Sequence, residues 1–373
     1  MNVLVLSSRF PWPAYTGDRL RAAIWLEALG AHANVALVAP EGSIPAEAPP
    51  FRFHAARRSV RQGIAGALRL LGGGSVSALL AAPYDWADAI RRAEADLGRI
   101  DTTVVLLSRL DPWVRALLPD GFHVLDAIDS LRLNMEERSR QAPPWLRWFW
   151  RVESRRVGRI EADAADTYDR VVVVSPDDAG ELDAETISNG VSIAPLVEAP
   201  RPFDYGFWGR LSYFANADAA AWLLGEIWPA VRAQRPEATL LLAGSDAPPF
   251  VRAAHGANGV TVQSPVEDMA ALVRQVRVAL LPIRYGSGQS NKVLEAAEAG
   301  CGIVATPQAV RGLASLTPYA SIGRHAGELA RLALLPSPAA MARSLRHVVE
   351  TQYARTLTLD QLAALALRRE AAA

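Results

Sequence analysis

The sequence predicts an α/β protein built from two doubly wound domains in series, and three observations lead there. Short apolar runs at Val3 to Leu6 and Val35 to Val38 flank a stretch with helical spacing, and the same alternation starts afresh at Tyr205 to Trp208. Such runs suit buried parallel strands, and the helices between them suit crossover connections. Between the two patterns, Pro195 to Pro202 (PLVEAPRP) sets three prolines in eight residues, an extended and semi-rigid linker. At 373 residues the chain also exceeds one ordinary core.

Composition narrows the function. The chain is 50% hydrophobic and 21% charged, which is globular, and its net charge is zero, so it has no global field for nucleic acid. The lone Cys301 excludes an internal disulfide and fits a reducing compartment. No apolar run approaches the ~20 residues that span a bilayer. The opening MNVLVLSSRF lacks a basic n-region and reads as fold, not as a signal peptide. A cytoplasmic chain is expected, soluble or peripheral at the inner membrane face.

In chain order, the first strand leads into turn punctuation at Pro11, Pro13 and Gly17, then a helix with Leu20, Ile24 and Leu29 on one face. Arg57, Arg58, Arg61 and Arg69 intersperse with Ile64, Leu68, Leu70 and Leu71, predicting a basic amphipathic helix with one buried face. Thr103 to Leu107 and His123 to Leu125 are further strands. The second runs into LDAIDS, placing Asp126 and Asp129 at a strand C-terminus, where open α/β sheets put ligand residues. Asp129 is a candidate for an acceptor hydroxyl, and Asp126 serves as well as a helix cap. After Pro143 and Pro144 a long helix clusters Trp145, Trp148, Phe149 and Trp150 among arginines, which suits either a membrane interface or packing on the sheet with the arginines outward. Packing is the expectation, because Glu153, Glu161 and Asp163 dilute the charge.

The second half opens on a strand ending at Gly209 and Arg210, and its next strand, Leu240 to Ala243, ends at Gly244. Strand Val276 to Leu281 then meets a loop with Gly286, Ser287 and Gly288, followed by a helix start at Gln289 or Ser290. Glycines let the backbone approach a ligand closely, and a helix N-terminus favours an anion, phosphate above all. Lys292 and Glu295 stand three apart on that helix, offering a cation for phosphate and a carboxylate for sugar hydroxyls. Lys292 is the sole lysine among 39 basic residues. Ammonium and guanidinium are not interchangeable, so its retention here points to a ligand; a surface Lys292–Glu295 pair is the bland alternative. The loop is not a P-loop, since Asn291 precedes the lysine, and not a dinucleotide fingerprint, since Asn291 stands where a third glycine belongs. No His-x-x-x-His, Cys-x-x-Cys, Gly-x-Ser-x-Gly or Asp-x-Asp occurs, so a zinc site, a hydrolase elbow and a metal-bound pyrophosphate are unsupported.

The run GSGQSNKVLEAAEAG…IVAT…RGL, Gly286 to Leu313, resembles the donor-binding signature of GT-B glycosyltransferases, family 4-like (glycosyltransferase group 1). The likeness is to a Gly-Ser-Gly…Lys-Val-Leu-Glu-Ala subgroup associated with exopolysaccharide-type sugar transferases. Many members carry an earlier glutamate where this chain has Ser287, so contacts inferred from it do not transfer. The resemblance implies two Rossmann-like domains facing a cleft, with a C-terminal helix returning to the first. That gives 1–196 as the acceptor-side domain, 197–340 as the nucleotide-sugar domain, and 341–373 as helices crossing back. It also implies that Gly17 and Arg19, with Arg21 beside them, border the donor phosphates and acceptor. Arg210 matches the arginine that holds the diphosphate, flanked by Gly209 with Gly244 on the next strand. The second lysine of relatives is missing here, so one phosphate contact is either absent or replaced, with the amide of Asn216 as the candidate.

The expected function is a hexosyltransferase that moves a sugar from a UDP-, GDP- or TDP-linked donor to a glycan, lipid-linked or small-molecule acceptor. Arg210 and Lys292 would stabilise the leaving diphosphate, Glu295 would bind the ribose, and Asp129 would meet the acceptor. The resemblance implies retention of configuration and no metal or other cofactor. Two alternatives stay open: a nucleotide-sugar epimerase on the same fold, and a catalytically silent sugar-nucleotide-binding protein.

Overall fold

The structure, a computed structural model, describes all residues but 15, 165, 181, 197–199, 287, 337–338 and 369–373. The chain divides into two compact units, Met1–Asn189 with Thr358–Ala373, and Gly190–Leu357.

Unit 1 holds a seven-stranded sheet of β1 (Asn2–Ser7), β2 (Asn34–Ala39), β3 (Arg52–Ala55), β4 (Thr102–Leu106), β5 (Phe122–Ile128), β6 (Arg170–Val173) and β7 (Glu185–Thr186). All its pairings are parallel, in the order β3-β2-β1-β4-β5-β6-β7. The continuous apolar run of β1 follows from burial on both faces. Val3 and Val5 point into one core layer with Ile24, Trp25 and Leu29, while Leu4 and Leu6 point into the other with Trp86 and Ile90. Leu362, Ala363 and Ala366 of the helix Arg355–Leu367 join the Val3 layer, and Thr102 Oγ1 donates to the Ala366 carbonyl at 2.9 Å.

Unit 2 holds a six-stranded parallel sheet of β8 (Phe203–Arg210), β9 (Leu240–Ser245), β10 (Val260–Gln263), β11 (Val276–Leu281), β12 (Gly302–Ala305) and β13 (Ser321–Ile322). Its order is β10-β9-β8-β11-β12-β13. In each sheet the winding reverses once, between β1 and β4 and between β8 and β11. Such switch points open a crevice at the strand C-termini. Cys301 is buried in this core, and burial pushes its thiol up to about 11, which leaves it a packing residue.

Three details differ from the sequence reading. The helix Ala339–Gln352, placed in the returning segment, belongs to unit 2, and the chain rejoins unit 1 only at Thr358. Leu345 and Val349 lie one turn apart and pack into the unit 2 core, and Arg346 ion-pairs with Glu298 at 3.5 Å and donates to the Ala194 carbonyl at 2.7 Å. The helix Val60–Leu71 turns its large apolar residues to solvent, because Gly66 faces inward where a Cβ would lie 2.5 Å from Ala82 Cβ. On the helix Pro144–Ala164, Trp145 and Trp148 are likewise exposed, while Glu153 and Glu161 are buried with Ser154, Val157 and Ala164.

Candidate active site

At the switch point of unit 2, Gly209 and Arg210 of β8 stand beside Gly244 and Ser245 of β9. Both glycines take conformations that side chains disfavour, φ 131° and 144°. A Cβ on Gly244 would fall 1.7 Å from the Gly209 carbonyl oxygen. A Cβ on Gly209 would fall 2.9 Å from Lys292 Cε and 3.3 Å from Asn216 Nδ2. The two glycines thus let the strand ends close up and admit the lysine over them.

Lys292 lies in the first turn of the helix Asn291–Glu298. Its Nζ sits 5.8 Å from the centre of the Phe207 ring, and among the described residues it has no hydrogen-bond or ion-pair partner. Burial lowers its pKa, and Glu295 partly opposes that. Glu295 does not form the surface pair with Lys292: its Oε2 accepts a 2.6 Å hydrogen bond from Trp208 Nε1, which aims the carboxylate. Ser290 makes no side-chain cap on this helix.

Arg210 is half-exposed, and its Nε donates to Asp246 Oδ2 at 3.0 Å. Asn216 Nδ2 donates to the Arg210 carbonyl at 2.8 Å, so this amide shapes the strand exit and is not a free substitute for the family's second lysine. In the glycine loop, Gly286 and Gly288 have φ 134° and 74°. The space where a Gly286 Cβ would stand is open, and its carbonyl accepts from Gln308 Nε2. Ser287, assigned to the same loop, lies outside the described residues. Unit 2 therefore brings Gly209, Arg210, Gly244, Lys292 and Glu295 together on one sheet edge, with the glycine loop leading into the lysine's helix. Two cations, a helix N-terminus and an aimed carboxylate suit a diphosphate joined to a diol.

The switch point of unit 1 is built otherwise. Gly17 opens the helix Gly17–Gly30 with nothing within 4 Å of where its Cβ would be. Beside it, Thr16 Oγ1 donates to Asp18 Oδ1 at 2.6 Å, Arg9 pairs with Asp18 at 3.0 Å, and Arg19 Nη1 donates to the Pro13 carbonyl at 3.4 Å. Arg21 does not belong with them. It is fully buried, and its Nε donates to the buried Asp126 Oδ2 at 2.6 Å. Asp126 also accepts from Trp25 Nε1 at 2.6 Å and the Ile128 amide at 3.0 Å. It is an interior partner, and the next helix is capped by Ser130 instead, whose Oγ accepts from the Leu133 amide at 3.2 Å.

Asp129 sits half-buried just past β5, after the left-handed Ile128 (φ 66°). Leu107 ends β4 in the same way, φ 74°, a conformation that costs a non-glycine residue energy and clusters at functional edges. Two residues on stands Arg109, which the sequence reading missed. Its Nε is closed off from solvent without a partner, and among the described residues the side chain makes no hydrogen bond or ion pair. Burial lowers its pKa; Asp18 and Asp129 act against that, while Arg9 and Arg138 add to it. The rule that selected Asp129, a strand C-terminus beside a switch point, also selects Arg109.

Glu161 was read only as part of the helix Pro144–Ala164. Its carboxylate accepts from the Leu131 and Arg132 amides at 2.7 and 3.3 Å, and from Ser130 and Ser108 Oγ at 3.1 and 3.4 Å. It closes the N-terminus of the helix Leu131–Gln141. Burial nevertheless pushes it up to about 7, against those hydrogen bonds.

The family described as Glycosyl transferases group 1 matches residues 202–350, from the start of β8 into the helix Ala339–Gln352. The whole chain superposes on solved structures. Sucrose-phosphate synthase from Thermosynechococcus elongatus gives a TM-score of 0.74 at 15% identity, over 99% of this chain and 98% of that one. HepE of Anabaena, solved with UDP and glucose, gives 0.69 at 13% identity, over 99% and 100%. WaaG, a glycosyltransferase involved in lipopolysaccharide biosynthesis, gives 0.65 at 15% identity, over 98% and 99%. At these identities the likeness shows the fold, which is GT-B. No curated protein sequence matches the chain.

Proposed function

We propose, for a chain that carries a group 1 glycosyltransferase domain on the GT-B fold, that it moves a sugar from a nucleoside diphosphate donor to a glycan, lipid-linked or small-molecule acceptor. Lys292 carries this reading: the chain's one lysine, without a hydrogen-bond or ion-pair partner among the described residues, lies over the sheet edge where Gly209 makes room for it. As the bond from the sugar's anomeric carbon to the diphosphate oxygen breaks, negative charge builds on the departing diphosphate. Lys292 and Arg210 offset that charge, and fixed groups do so without reorganising during the step. Glu295, aimed by Trp208, receives the ribose hydroxyls. Gly286, Gly288 and Gly17 are assigned, as part of the proposal, to let the backbone approach the phosphate oxygens. Asp129 and Arg109 are assigned to the acceptor.

Neutralisation by cations and amides needs no metal, and transfer with retention is part of the proposal. Among the described residues no group of three His, Cys, Asp or Glu is placed to hold one. HepE was solved with UDP and glucose, which makes UDP-sugars the first donors to try, with GDP- and TDP-sugars next. We place the reaction on the cytoplasmic side of the membrane. No helix among the described residues is long and apolar enough to cross it.

A thermal-shift and nucleotide-release series over UDP-, GDP-, TDP- and ADP-sugars, with wild type and Lys292→Ala, tests the proposal. A donor at ~100 times its Kd should stabilise wild type by ~2.7 kcal/mol, several degrees, and the mutant far less. Donor isomerised without an acceptor would instead mark an epimerase, and binding without nucleotide release a silent binder. No shift with any of them removes the donor assignment.

A further inference from the structure

The helix Val60–Leu71 is turned inside out. Val60, Ile64, Leu68 and Leu71 recur at helical spacing and form one stripe, yet they are 81%, 58%, 60% and 86% exposed. Its inward face carries Gly66, where a Cβ would meet Ala82 Cβ at 2.5 Å and Leu79 Cδ2 at 3.1 Å. Rolling the helix to bury the stripe would drive a side chain into that contact. Two further ties hold the orientation: the Ser59 amide donates to the Pro83 carbonyl at 2.8 Å, and Arg69 donates to the Pro112 carbonyl at 2.7 Å while lying over Trp113. The exposure is built in.

A second exposed apolar stretch of unit 1 is tied to the residues just past this helix. Just past this helix, Ser75 Oγ and the Val76 and Ser77 amides donate to the buried Glu153 carboxylate at 2.5, 3.0 and 2.7 Å. Glu153 belongs to the helix Pro144–Ala164, whose first turns expose Trp145 and Trp148. The charge on both pieces has one sign. Residues 48–84 contain no Asp or Glu; Arg52 is taken up by Asp96, which leaves Arg57, Arg58, Arg61 and Arg69, and residues 144–152 add Arg147 and Arg151, again without an acid.

We infer that this face of unit 1, the Val60–Leu71 stripe with Trp145 and Trp148, docks on an anionic phospholipid bilayer. A contiguous exposed apolar stripe needs something to cover it. Arginines flanking apolar residues fit lipid headgroups above an acyl boundary, and tryptophans favour that interface. A second copy fits worse, because a symmetric contact would set arginine against arginine. The inference supplies the surface for the lipid-linked acceptor of the proposed function, but it does not depend on the donor site.

Co-sedimentation of the full chain with phosphatidylcholine vesicles, alone and mixed with phosphatidylglycerol, tests it. Wild type should pellet with the anionic vesicles and only weakly with the neutral ones, and high salt should release it. Ile64→Gln with Leu68→Gln should weaken binding roughly tenfold or more, since two apolar side chains no longer enter the boundary. Arg57→Gln with Arg58→Gln should weaken it about fivefold per arginine on anionic vesicles only. These residues are exposed, so circular dichroism and Tm should match wild type. Absence of binding to anionic vesicles, or binding unchanged in the apolar double variant, overturns the inference. So does a dimer in sedimentation equilibrium that the same variant dissolves without any lipid binding. Nucleotide release with a water-soluble acceptor should persist in every one of these variants. Its failure in wild type would count against the glycosyltransferase reading and leave the vesicle result standing.

Discussion

The two sheets share one winding rule, but their switch-point edges are made of different chemistry. In unit 2 the edge is opened to backbone: Gly209 and Gly244 remove side chains, and the Lys292 ammonium, without a hydrogen-bond or ion-pair partner among the described residues, lies over the space. In unit 1 the edge is crowded with charge that mostly satisfies itself: Arg21 with Asp126 inside, Arg9 with Asp18 outside, and Glu161 on the helix amides. Left-handed turns there fall on Leu107 and Ile128, not on glycine. In the proposed reaction a diphosphate is the same in every donor, so the edge assigned to it needs close backbone approach and cations. An acceptor would vary, and the edge assigned to it in unit 1 is a charged frame in which Arg109 has no hydrogen-bond or ion-pair partner among the described residues.

That contrast can be broken from either side. The largest effect is expected at Gly244→Ala, whose Cβ would overlap the Gly209 carbonyl; we expect a loss of about 4 kcal/mol or more, read as a Tm drop or failure to fold. A Tm near wild type would mean the edge can open. Lys292→Ala should leave the fold intact and lower kcat ~10²–10³-fold with donor saturating. Lys292→Arg should not restore it, since the fork does not fit a space bounded by Gly209 and Asn216.

Unit 1 answers to pH instead. The folded state holds the Glu161 proton up to about 7, whereas an unfolded glutamate releases it near 4.5. The folded state therefore binds more protons between those values, and stability from this group falls as pH rises through the window. The full swing is about 3 kcal/mol. Glu161→Gln should flatten the slope of denaturant-measured stability between pH 4.5 and 7; a slope left unchanged would remove Glu161 as its source. Trp208→Phe is a smaller cut: it deletes the hydrogen bond that aims Glu295, about 1 kcal/mol, and should raise donor KM roughly fivefold with kcat little altered. Gly17→Ala should be the mildest, within about 0.5 kcal/mol in stability, because no atom waits within 4 Å of the new methyl. A larger kinetic effect there would put a ligand against that backbone.

Much of this was readable in one dimension. Buried parallel strands are apolar throughout, so β1, β2 and β11 stand out as runs, and the second βα pattern after Pro202 marks a second sheet. The glycine loop, Lys292 and Glu295 lie within ten residues of one another, and a local motif needs no folding to be seen. Partners remote in sequence were not readable. Trp208 meets Glu295 from 87 residues away, and Arg21 meets Asp126 from 105 away, which turns a plausible ligand arginine into a core ion pair. The Val60–Leu71 helix shows the limit most plainly. Its amphipathic period was legible, but which face goes inward depends on Gly66 meeting Ala82. Periodicity names a stripe; only packing decides whether the stripe is core or surface. The sequence by itself determined the fold class and the glycine loop that leads into the Lys292 helix, because both are written in local pattern. Tertiary structure decided which charges are buried with each other and which, like Lys292 and Arg109, have no hydrogen-bond or ion-pair partner among the described residues, because desolvation and pairing depend on neighbours that the chain brings from elsewhere.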